Sequence, residues 1–127
     1  MPKKILITGS SRGIGASIAR LAKEKKYDVI LHGKTISPCL VNLAKELDSE
    51  YVTFNVSKEH EVSEALENID SIDVLVNSAG VNISKSFDNL TNEDWKNVYD
   101  INVFGLVNVT RHVLPIMKRS KYTGKIV

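Results

Sequence analysis

The sequence is poor in several things, and each shortage closes off a class of function. Cys39 is the one cysteine in 127 residues, so no internal disulfide can form. Without a positioned His or Asp, a lone cysteine reads as a small buried apolar side chain, and neither a nucleophile nor a metal site is assigned. No apolar stretch approaches the roughly 20 residues of a membrane-spanning helix, and the apolar run in "MPKKILITG" is too short for a signal peptide. The expectation is a cytoplasmic domain with no membrane partner. Aromatic residues make up only 6% of the chain, and the basic residues of 1–34 and 111–127 lie along helix-like faces without aromatics between them. They read as solvated surface, so no nucleic-acid partner is expected. With 43% hydrophobic and 25% charged residues, a chain of this length buries one core.

What is present changes period in a regular way. "KILIT" (4–8) is a β-branched run leading at once into glycines, the pattern of a buried parallel strand. Ile14, Ile18, Leu21 and Ala22 then fit one helical stripe, which ends in "KEKK". "DVILH" (28–32) predicts a second strand, and Ser37 before Pro38 predicts the N-cap and first position of a helix through Leu47. "YVTFNV" (51–56) predicts a third strand, and Ser57 the cap of a helix with Val62, Ala65, Leu66 and Ile69 on one side. "IDVLVN" (72–77) predicts a fourth. Thr91 with Asp94 predicts a capping box opening a long helix through Ile116 and Met117, bent or broken near Gly105 and Pro115. "GKIV" (124–127) begins a fifth strand that the chain leaves unfinished. Strands alternating with helices predict an α/β fold with a doubly wound parallel sheet of order 3-2-1-4-5.

In such a sheet, ligands bind beyond the carboxyl ends of the strands where the winding reverses, and "TGSSRGIG" (8–15) falls there. Gly9 permits the turn out of the strand, Gly13 lets backbone approach a ligand, and Gly15 lets the helix pack close. The helix start then offers N–H groups to a phosphate. Glycines alone are not specific, and the spacing here is G-x-x-x-G-x-G. "GKT" (33–35) does not make a P-loop, because Asp28 stands where that motif needs its first glycine.

Three ordered segments, "TGSSRGIG", "NSAG" (77–80) and "INVFG" (101–105), together resemble the short-chain dehydrogenase/reductase family along the whole chain. The resemblance implies a Rossmann-type fold and a nicotinamide dinucleotide held by Gly9, Ser11, Arg12, Gly13, Ile14 and Gly15. Asn77, Ala79 and Gly80 would line the far side of the cofactor, with Ser78 in place of the family's second Asn. Asn55 and Val56 match the family's pair beside the adenine, Asn replacing Asp, with a carbonyl oxygen still able to accept from the adenine amine; a turn-forming Asn is the competing reading. Asn102 matches the Asn of the family's Asn-Ser-Tyr-Lys catalytic set, which helps place a proton-relaying water; its alternative is to satisfy a helix bend near Gly105.

Members preferring NAD resemble one another in an acidic residue at the end of the second strand. Gly33 holds that place here, followed by Lys34, and Arg12 precedes Gly13. Two cations without a carboxylate favour NADP(H) over NAD(H), two exposed surface charges being the competing reading. The family's Ser, Tyr and Lys would lie beyond Val127, and no tyrosine present is followed four residues later by Lys. Residues 1–127 are therefore expected to be the dinucleotide-binding, N-terminal part of a single domain. The implied activity is carbonyl reduction or alcohol oxidation on a small-molecule or acyl-carrier-bound substrate, in the look of the 3-oxoacyl-carrier-protein reductase branch. The alternative is a non-catalytic dinucleotide-binding module or an inactive fragment. The long helix resembles the family's subunit-packing element, with Val103, Val107 and Leu114 on it, so the complete protein is expected to be a homo-oligomer, dimer or tetramer.

Overall fold

The computed structural model describes residues 2–127. Five strands form one parallel sheet: β1 (Lys4–Ile7), β2 (Asp28–Gly33), β3 (Glu50–Thr53), β4 (Val74–Val76) and β5 (Lys125–Ile126), in the order β3-β2-β1-β4-β5. This is the doubly wound order expected from the sequence. Helices α1 (Gly13–Glu24) and α2 (Pro38–Leu47) cover one face, and α3 (Glu59–Leu66) and α5 (Leu106–Lys118) the other. Alternation along the strands splits the core accordingly. Ile5, Ile7, Val29 and Leu31 pack toward α1 and α2, while Leu6, Ile30, Leu75 and Phe54 pack toward α3 and α5. Among the described residues no helix is long and apolar enough to cross a membrane.

Two helix starts follow their sequence signals. Ser37 accepts a hydrogen bond from the Leu40 N–H with Pro38 at the first helical position. Thr91 and Asp94 form a reciprocal capping box on α4 (Asn92–Tyr99). Ser57 does not cap α3, whose N-cap is Lys58. The Asn55 side chain accepts from both the N–H and the hydroxyl of Ser57, a two-residue turn that takes the serine before the helix can use it.

The apolar stripe of α1 matches the expected one in part, with Ala22 buried and Ile18 packed against the core. Gly15, Ala16, Ala19 and Ala22 are buried, whereas Ile14 is 77% and Leu21 54% exposed. Small side chains let the helix lie close to the sheet, and Ile14 and Leu21 are turned outward. The long helix is continuous from Asn92 to Lys118 through a π turn at Asp100–Gly105, and Pro115 sits inside its last turns without ending it. A Cβ on Gly105 would come within 2.5 Å of Val56 Cγ2, so the absence of a side chain there sets how closely the π turn meets the β3–α3 loop.

Candidate functional site

A cleft of about 310 Å³ opens at the carboxyl ends of β1, β2 and β4, where the winding reverses. Gly9, Ser11, Arg12, Lys34, Asn55, Val56, Ala79 and Gly80 line it, all of them residues singled out in the sequence. His32, Gly33, Phe54, Ser78, Val81 and Ile101 complete the wall. Gly13, Ile14, Gly15, Asn77 and Asn102 lie outside this lining, in positions that the local geometry explains.

Gly9 has φ +60°, and a Cβ there would lie 2.7 Å from Ala79 Cα. It lets the β1–α1 turn and the 77–80 segment touch through bare backbone. Thr8, 1% exposed, fastens the same junction: its hydroxyl oxygen accepts from the N–H groups of Ser78 and Ala79, both at 3.1 Å. Gly13 has φ +63° with nothing within 4 Å of where a Cβ would stand, an open cradle at the start of α1. Gly15 is buried beneath, and a Cβ on it would run into the Gly9 carbonyl; its closeness is to the turn itself. Ile14 is exposed beside the cradle.

The start of α1 is chemically unlike its neighbours. Arg12, at its N-cap, makes no side-chain capping bond, and the first turn holds no acidic residue. By contrast α2 is capped by Ser37, α4 by Thr91, and α3 carries Glu59 and Glu61 in its first turn. The first N–H groups of a helix have no internal partner, so α1 presents donors and the positive end of its dipole to an anion. Arg12 and Lys34 also line an annex of the cleft with Ser11, Thr35, Ser37 and Cys39, the cysteine being exposed here and not buried as expected from the sequence. Neither cation has a hydrogen-bond or ion-pair partner among the described residues, and no carboxylate lines cleft or annex. Arg20, Lys85 and Arg111, in contrast, are each held by a carboxylate.

The structure gives Asn55 the turn role weighed in the sequence. Its carbonyl oxygen accepts from the Ser57 N–H at 3.0 Å and from the Ser57 hydroxyl at 2.7 Å, while its own N–H donates to Glu61 at 3.1 Å. Asn77 faces α5: its Nδ2 is 3.5 Å from Thr110 Oγ1, and its Oδ1 is buried with no partner among the described residues. Asn102 sits on the π turn, and both ends of its side chain are bonded to the backbone of Val81. Among the described residues no tyrosine lines the cleft.

His32 drew no attention in the sequence, yet it organises this end of the sheet. It is 2% exposed, and its ring bridges the Gly9 N–H and the Phe54 carbonyl. Burial holds its pKa below the ordinary imidazole value, against a smaller upward pull from the Phe54 bond. The signal available was a histidine next to a glycine at the end of an otherwise apolar strand, where a buried ring must find polar partners.

Together, the open Gly13 cradle, the uncapped start of α1 and the unpaired cations suit an elongated anionic ligand such as a dinucleotide. The family model of the short chain dehydrogenases matches residues 3–127. The chain is 35% identical to the 3-oxoacyl-(acyl-carrier-protein) reductase FabG of Staphylococcus epidermidis, with all of this chain and 55% of that protein covered. It is 33% identical to an acetoacetyl-CoA reductase of Paracoccus denitrificans, again over all of this chain and over 54% of the relative. The crystal structure of a gluconate 5-dehydrogenase from Burkholderia cenocepacia, in complex with NADP and tartrate, is similar with a TM-score of 0.85. Its sequence is 28% identical, and the match covers 98% of this chain and 51% of that one. The chain thus spans about half the length of the curated relatives it matches. Ordered motifs, sheet order and glycine turn converge with these matches: the chain belongs to the short-chain dehydrogenase family.

Proposed function

We propose that this chain forms the dinucleotide-binding part of an NADP(H)-dependent oxidoreductase acting on a carbonyl or alcohol carbon. The observation that carries the cofactor choice is the pair Arg12 and Lys34: two cations from different loops, both unpaired, on a cleft and annex without a carboxylate. A 2′-phosphate placed between them would gain charge-assisted hydrogen bonds, whereas a carboxylate there would repel it. The similar Burkholderia structure holding NADP supports the same choice.

The N–H groups at the start of α1 and the open Gly13 turn would receive the pyrophosphate, and Val56 and Asn55 would flank the adenine. With the Asn55 carbonyl engaged by Ser57, the amide Nδ2 is the group left to face the base as a donor. Ala79 and Gly80 would lie along the nicotinamide side. The bound cofactor supplies hydride chemistry; the protein supplies its position. The substrate is a small-molecule or acyl-carrier-bound carbonyl compound, a class supported by the 3-oxoacyl reductase among the relatives. The proton donor would be the family's Tyr-Lys pair, in the length that the relatives have beyond their match to this chain.

Phe104, Leu106, Val107 and Leu114 lie exposed on the long helix, with Trp95, Tyr99 and Val103 before them. That apolar face supports a homo-oligomer for the complete protein. The deciding experiment is a titration of the chain with NADPH and with NADH, followed by calorimetry. Tighter binding of NADPH supports the reading, and a folded chain that binds neither refutes it.

A further inference from the structure

We propose that His32 is a positioning residue of the dinucleotide site: its neutral imidazole, bare on Nδ1 and protonated on Nε2, holds the Gly9 turn in its phosphate-receiving shape, and acid releases it. The inference rests on the cofactor reading above and adds a residue and a pH dependence to it.

The two partners fix the tautomer from opposite sides. The Gly9 N–H can only donate, so Nδ1, 2.9 Å away, must accept. The Phe54 carbonyl can only accept, so Nε2, at 2.8 Å, must carry the proton. The backbone of His32 grips the next residue of the turn. Its N–H donates to Ser10 Oγ at 2.9 Å, and its carbonyl accepts from the Ser10 N–H at 2.9 Å. Gly9 and Ser10 are therefore both set by one residue of β2, and Ser11 and Arg12, which line the cleft, follow directly from them.

A second proton on the ring would place N–H against N–H across 2.9 Å, and the turn or the ring must then move. The ring has little room to do so, being packed against Phe54 with centroids 4.1 Å apart and planes tilted by 40°. No neighbouring charge rescues the cation. Arg12 and Lys34, on the same cleft, are themselves positive. On α3, Glu59 is held by Arg111 and His112 of α5, and Glu61 accepts from the Asn55 N–H. On β3 the residue in register is Val52. The depressed pKa noted above agrees with a ring that is neutral at physiological pH and resists the second proton.

The test compares wild type with His32→Asn and His32→Leu. Asn Oδ1 is the same number of bonds from Cα as His Nδ1, so Asn keeps an acceptor for Gly9 and does not titrate near neutrality; Leu removes the acceptor. NADPH binding is measured by calorimetry at pH 7.5 and at the lowest pH at which the variants stay folded, and the Gly9 amide is followed by 15N NMR between those two values without nucleotide. The nucleotide's own 2′-phosphate titrates in this range for every variant, so the ratio of variant to wild type isolates His32. Wild type should lose affinity in acid beyond that shared effect, up to about tenfold for each pH unit below the ring's own pKa. His32→Asn should bind within about threefold of wild type at pH 7.5 and show only the shared effect, and its Gly9 amide should stop titrating. His32→Leu should bind weakly at both pH values. An Asn variant as acid-sensitive as wild type, or a folded Leu variant that binds as wild type does at pH 7.5, overturns the proposal while leaving the cofactor reading intact. A folded wild type that binds neither NADPH nor NADH at pH 7.5 overturns the cofactor reading, and with it the role of His32 in binding.

Discussion

Asn102 closes a ring of two hydrogen bonds on a single residue: its Oδ1 accepts from the Val81 N–H at 2.8 Å, and its Nδ2 donates to the Val81 carbonyl at 2.9 Å. The π turn and the segment after β4 are thereby tied where that segment borders the cleft. The same tie keeps Gly80 close, since a Cβ there would lie 3.2 Å from Asn102 Oδ1. A side chain bonded at both ends is an anchor. Asn102→Ala should cost about 1–2 kcal/mol, the net worth of two partly solvated hydrogen bonds. Asn102→Asp should cost at least as much, because a carboxylate oxygen would then face the Val81 carbonyl. Urea denaturation measures both, and faster amide exchange confined to residues 80–86 would locate the effect.

Arg12 and Lys34 should divide their effect between the two nucleotides unequally. If NADP(H) is the cofactor, as proposed, removing either cation would take away a charge-assisted bond to its 2′-phosphate, so Arg12→Ala and Lys34→Ala should each weaken NADPH binding about tenfold, or roughly 1.4 kcal/mol. NADH lacks that phosphate and should change by less than about threefold. Both side chains are exposed and unpartnered, so thermal stability should hardly move. Parallel losses for the two nucleotides would place these cations at the pyrophosphate instead.

The three glycines of the turn should fail in different ways. Gly9→Ala drives a Cβ into Ala79 backbone, and Gly15→Ala drives one into the Gly9 carbonyl; rigid backbone on both sides predicts losses of about 3 kcal/mol or more. Gly13→Ala meets no atom, so only its positive φ penalises it, by about 1–2 kcal/mol. That variant should fold and yet bind dinucleotide poorly, because its methyl would stand in the open cradle. Thermal melts together with NADPH titrations separate the two kinds of failure.

The parts of this molecule legible in its sequence are those set by local rules. Alternating periods gave the five strands and their order, and the side-chain chemistry of Ser37 with Pro38 and of Thr91 with Asp94 located two helix starts. Ser57 misled because Asn55, two residues earlier, offered it a tighter local turn. In the α1 stripe Ile18 and Ala22 pack as expected, but Ile14 and Leu21 do not, because the helix meets the sheet through Gly15, Ala16 and Ala19, a tertiary preference for small residues that overrides apolar periodicity. Within the cleft, the lining residues Gly9, Ser11, Arg12, Ala79 and Gly80 followed from motif order, but His32 did not. Its partners are Gly9 and Phe54, more than twenty residues away on either side, and one histidine in an apolar strand has no period to reveal it.

The opposite end of the sheet offers a test of what fixes the last strand. Asp73 is 4% exposed and links three segments. Its carboxylate accepts from the Lys4 N–H at 2.8 Å and from the Ser120 hydroxyl at 2.5 Å, while its backbone carbonyl accepts from the Lys125 N–H at 3.1 Å. Ser120 Oγ also accepts from the Tyr122 N–H, so the turn between α5 and β5 is folded around this one hydroxyl. β5 is only two residues long and lies at an edge, so its placement depends on that turn more than on its own ladder. Ser120→Ala removes both hydrogen bonds of the hydroxyl and leaves a buried carboxylate oxygen short of a donor, a loss of about 1–3 kcal/mol. Asp73→Asn keeps the shape but turns one acceptor into a donor, toward either the Lys4 N–H or Ser120, and should cost a similar amount. Hydrogen exchange should show Lys125 and Val127 losing protection in both variants while the amides of β1 and β2 keep theirs. Equal loss across the whole sheet would mean instead that Asp73 supports the global fold rather than the docking of β5.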